Sequence, residues 1–124
     1  MCKITLLWEG GEHTFALHLK ELRALQDATD AGPEELLQRM SAGRWRVDDL
    51  FNTIRLGLIG GGMSATEAGP LVTRMFETHP LSLFKEPAYK IVAAALGGVE
   101  GDPVGEQEGA TTPPPNGNSA ASTS

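Results

Sequence analysis

The chain has 124 residues and a formal net charge of -6; 40% of it is hydrophobic and only 6% aromatic. That length fits one domain, and the acid excess excludes a protein that coats nucleic acid through a broad basic surface. The charge is also uneven. Every lysine and arginine falls between Lys3 and Lys90, whereas Glu100, Asp102, Glu106 and Glu108 stand in a final segment with no basic residue.

Cys2 is the single cysteine. A disulfide within the chain and a zinc site built on several thiolates are therefore both excluded. No stretch approaches the roughly 18–20 consecutive apolar residues of a membrane span. The apolar run at 4–8 stops at Glu9 and Gly10, too early for a signal-peptide core. These features predict a soluble, cytoplasmic protein with no membrane partner.

Residues 3–8 alternate, with Ile4, Leu6 and Trp8 on one face and Lys3, Thr5 and Leu7 on the other. Glu9-Gly10-Gly11-Glu12 is a turn signal, because glycine takes positive φ without a Cβ penalty. His13 to Leu17 alternate again, with Phe15 and Leu17 inward, which completes a hairpin. A lone hairpin is marginal in water and needs helices against its apolar face.

The period then becomes helical. Leu19, Leu22 and Leu25 mark a helix over 18–28, broken by Thr29-Asp30-Ala31-Gly32. Pro33 suits a first helical position, and Glu34 and Glu35 suit its positive end. Leu36, Leu37 and Met40 give that helix its apolar face before Gly43 stops it. Asp48 or Asp49 can cap the next helix, whose face is Leu50, Phe51, Ile54 and Leu58. Gly57 inside it costs about 1 kcal/mol relative to alanine, which suggests a close helix contact. Gly60-Gly61-Gly62 ends it.

Ser64-Ala65-Thr66-Glu67 reads as a capping box opening a helix that carries Ala68, Leu71, Val72, Met75 and Phe76. His79-Pro80 ends that helix. The last helix carries Phe84, Ala88, Ile91, Val92, Ala95 and Leu96, and Pro87 implies a kink or a start near Glu86. The fold class is thus α+β: an N-terminal β-hairpin followed by four to five short helices over 1–98. Residues 99–124, rich in Gly, Pro, Ser and Thr, bury too little apolar surface to offset their ordering entropy and are expected to be a disordered tail.

Chemistry is sparse. His13, His18 and His79 have no partners at metal-ligand spacing. Gly57-Leu58-Ile59-Gly60-Gly61-Gly62 resembles a phosphate loop only in its glycines. A helix rather than a strand precedes it, and Met63-Ser64 follows where lysine is needed. Ser41, Ser64 and Ser82 lie in no nucleophile elbow. The acid pairs Glu34-Glu35 and Asp48-Asp49 sit where helix N-termini favour negative charge. No catalytic set, metal or cofactor is expected. Arg44-Trp45-Arg46 is the one basic-aromatic cluster. It can bind nucleic acid by stacking, but within an acidic domain packing or a protein partner is the favoured reading.

The order of elements resembles the small tail proteins of gene transfer agents and related siphophage-like prophages, the gene transfer agent or tail assembly chaperone family. The resemblance covers 3–98. It rests on the hairpin, the Leu19, Leu22 and Leu25 helix, the segment Ile54-Arg55-Leu56-Gly57-Leu58-Ile59-Gly60-Gly61-Gly62, the Ser64-to-Glu67 cap and the Ala-rich helix ending at Gly97-Gly98. It implies a non-enzymatic role in building a phage-type tail. The preferred form of that role is a chaperone that binds the tape measure protein and aids the tail tube subunits. The alternative is a structural tail tube component of the particle, which would associate with itself. The resemblance carries over no catalytic residues. As a partner surface, the large apolar side chains next to loops point to Trp45, Leu58 and Met63, while Phe51, Ile54 and Met75 are expected in the core.

Overall fold

The computed structural model describes residues 3–97, together with a two-residue strand pair, Pro115–Asn116 (β3) with Ser122–Thr123 (β4). Apart from those four residues, the expected disordered tail at 99–124 lies outside the described residues. Cys2 does too.

Strands β1 (Lys3–Trp8) and β2 (Gly11–Ala16) form an antiparallel hairpin around Glu9 and Gly10. Gly11 holds φ at 114°, a conformation that favours glycine. Trp8, Phe15 and Leu17 are buried, as the alternation predicts. The Trp8 indole N–H donates to His13 Nδ1 at 2.9 Å, which satisfies its one polar group.

Among the described residues, five helices follow. They are α1 (Leu19–Thr29), α2 (Pro33–Ala42), α3 (Val47–Gly60), α4 (Ala65–Thr78) and α5 (Lys85–Gly97), with a 3₁₀ turn at Leu81–Phe84 before α5. Asp30 and Gly43, both in the left-handed region, terminate α1 and α2. Pro33 is the first residue of α2, and Pro87 falls in the first turn of α5, so neither proline breaks a helix. Pro70 does lie inside α4, on its exposed side, where water can take the carbonyl left without a donor.

Helix α3 is the central element. It packs against β2, α1, α4 and α5, and Leu50, Ile54 and Leu58 on it are fully enclosed. A Cβ added at Gly57 would stand 3.1 Å from Phe15 and 3.2 Å from Ile91. The glycine predicted to mark a close approach does so, between the hairpin and α5. An aromatic row carries the core outward. Phe84 stacks on Phe76 with centroids 4.3 Å apart, and Phe76 meets Phe51 edge-on at 5.5 Å.

Three expectations need correction. Leu19 is not a core residue; it is 56% exposed, because at the first position of α1 it lies off the Leu22–Leu25 face. The N-cap of α3 is Arg46 rather than an aspartate. Asp49 sits three residues in and accepts the Arg46 backbone N–H at 2.8 Å. Ser64 does occupy the N-cap of α4, but its hydroxyl bonds Thr66 Oγ1 at 3.1 Å and caps no backbone N–H.

Candidate interaction surface

The two ends of α3 are held differently. At its start, the Asp49 carboxylate is completely buried. It accepts Arg39 Nη1 at 3.1 and 3.3 Å and lies 3.6 Å from Arg46 Nη2. Both guanidinium groups also donate to the Thr29 carbonyl at the end of α1. This network joins α1, α2 and α3. At the other end, Gly60 and Gly61 lie against β2. A Cβ on either would fall 1.8 Å from the Ala16 carbonyl oxygen or 1.9 Å from that of Thr14. His18 Nε2 meets the Gly60 carbonyl oxygen at 3.1 Å.

These facts place the residues singled out above. Trp45, in the α2–α3 loop, is half-buried against the core, while Arg46 beside it is committed to Thr29 and Asp49. Within the Arg44-Trp45-Arg46 cluster, Trp45 packs and Arg46 pairs, while Arg44 is exposed. Leu58 is 1% exposed and belongs to the core, so it offers a partner no surface. Met63, in the α3–α4 turn, is half-buried and its N–H meets the Leu58 carbonyl at 3.0 Å. Trp45 and Met63 sit at opposite ends of α3, about 20 Å apart for its length. Phe51 and Met75 are half-buried and Ile54 is fully enclosed.

Of the exposed large apolar side chains, which include Leu19, Val47 and Leu83, two border clefts, on β1 and α5. Leu7 is 82% exposed and Tyr89 39%. Between them stands the Glu86–Lys90 ion pair, at 3.1 Å. Leu6, Leu7, Glu86, Pro87 and Lys90 line a small cleft of about 130 Å³. Ser41, Ser82, Lys85, Glu86, Tyr89 and Lys90 line a wider one of about 510 Å³, with an apolar floor. Sequence reasoning put Leu7 on the outer face of β1 but gave it no role. Its signal was a leucine at an outward position of an alternating strand.

Among the described residues no three His, Cys, Asp or Glu side chains gather as a metal site, and no helix is long and apolar enough to cross a membrane. Fold and surface together define a small hairpin-and-helix domain in which β1 pairs with β2 alone among the described strands and lies beside an α5 cleft. A family model described as "Phage tail tube protein, GTA-gp10" matches residues 2–98, and the chain belongs to that family. No curated protein and no solved structure matches the chain.

Proposed function

We propose that the protein is a structural component of the tail tube of a phage-type or gene transfer agent-like particle, acting by protein–protein contact and catalysing no reaction. The observation that carries this reading is the family match across 2–98, which takes in the whole hairpin-and-helix domain. The exposed Leu7 and Tyr89 beside the α5 clefts supply apolar contact area of the kind such assembly needs. Its partners are then other tail proteins, including further tube subunits.

A second reading is a tail assembly chaperone that holds the tape measure protein and is released before the particle is complete. One observation favours it: within 3–97 the sheet is a single two-stranded hairpin and the remainder is helical. A mostly helical domain suits transient binding of an amphipathic helix in a groove better than it suits a wall of continuous sheet.

Immunogold labelling of purified particles separates the two. Label distributed along the tail supports the structural reading. Particles without label, from lysates in which the protein co-purifies with the tape measure protein, would overturn it in favour of the chaperone.

A further inference from the structure

The hairpin has two outer edges, and they differ. The register closes on Trp8 and Gly11, with Leu6 opposite His13 and Ile4 opposite Phe15. In an antiparallel pair closed by a two-residue turn, these alternate pairs are the ones that exchange hydrogen bonds. The N–H and C=O groups of Lys3, Thr5 and Leu7 therefore point away from β2, and those of Glu12, Thr14 and Ala16 point away from β1. The glycines of α3 confirm the parity, because Gly60 and Gly61 lie directly against the Ala16 and Thr14 carbonyl oxygens. The β2 edge is closed by α3. The β1 edge pairs with no other described strand. At its Leu7 end an open cleft lies between it and α5.

We propose that the β1 edge is the docking surface for a second copy of this chain, through antiparallel pairing of β1 with β1 about a two-fold axis at Thr5. The pattern is self-complementary, as an isologous contact requires. Thr5 meets Thr5 of the second copy, and each Lys3 meets the other copy's Leu7. The outward backbone groups of all three residues then find partners. On the solvent face, the Thr5–Thr14 hydroxyl pair, at 3.2 Å, continues into a four-residue threonine row. Leu7 lies between Glu12 of its own hairpin and Lys3 of the second copy. The lysine stem covers the exposed leucine and its ammonium reaches the Glu12 carboxylate. An edge lysine ordinarily blunts strand pairing; here an acid stands where that lysine lands. This contact closes on itself as a dimer and is independent of the tail reading.

The test measures the mass of the full-length protein against concentration, by light scattering and sedimentation, with circular dichroism as a check on folding. The wild type is expected to reach a dimer. Thr5→Pro removes the outward N–H and the exposed Thr5–Thr14 hydroxyl bond but none of the backbone bonds between β1 and β2, so the hairpin is kept while the dimer is lost. Lys3→Glu is expected to weaken the dimer at least about tenfold, and the double variant Lys3→Glu, Glu12→Lys to restore it by exchanging the charges. A wild type still monomeric at about 1 mM overturns the proposal. So does a dimer or larger assembly that persists in Thr5→Pro, or a charge exchange that fails to restore what Lys3→Glu removes.

Discussion

The two ends of α3 are anchored by opposite means. The start is tied by charge: a buried aspartate, two arginines and the Thr29 carbonyl hold three helices together. The finish is fitted by the absence of side chains, with Gly60 and Gly61 set against the backbone of β2. The first end fails when an atom is taken away, and the second when an atom is added. The same contrast explains why one hairpin edge is closed and the other free. Only glycine lets a helix end approach a strand edge so closely, and the chain places its glycines beside β2.

Five substitutions test this contrast. The largest effect is expected at the glycine end. Gly61→Ala or Gly60→Ala forces a methyl into a carbonyl oxygen of β2, which the hairpin can avoid only by leaving α3. A loss above about 4 kcal/mol is expected, enough to leave little folded protein by circular dichroism. Next comes the charged end. Asp49→Ala takes the buried carboxylate from Arg39, which keeps Glu35 and the Thr29 carbonyl, and removes the acceptor of the Arg46 backbone N–H. It is expected to cost about 3 kcal/mol in urea unfolding.

Gly57→Ala is a finer probe. Alanine gains about 1 kcal/mol of helix propensity, but its methyl must move Phe15 and Ile91, both enclosed. A net loss of about 1 kcal/mol is expected, seen as a fall in Tm of about 4–8 °C. Ser64→Ala is the smallest. An N-cap serine normally contributes about 1 kcal/mol, but this hydroxyl caps no backbone group. Less than about 0.5 kcal/mol is expected, and a full-sized loss would show that the capping bond forms in solution.

The elements were legible in the sequence because their signals are local. Alternation marked the hairpin, and glycines and prolines marked the helix stops after that of α1, which ends at Asp30. The site was less legible, because depth is not a local property. Leu58 and Leu7 are both apolar residues near turns, yet one is enclosed by several helices and the other faces solvent. Asp49 was readable as a helix-end charge, but its burial depends on Arg39 and Arg46 arriving from α2 and the loop. Gly60 and Gly61 were readable as a stop. Their fit against β2 joins residues more than forty positions apart, which no window of sequence displays. The α5 face beside Leu7 is equally non-local, and the apolar candidates at Trp45 and Met63 proved to lie at opposite ends of α3.

In the proposed role the domain is part of the finished tail. Its most direct test is the absolute copy number of this protein in purified particles, measured by quantitative mass spectrometry against a capsid protein of known count. Many copies per particle, in fixed ratio to the tail, is the result expected of a tube component. A protein abundant in the producing-cell lysate and missing from the particles would contradict it.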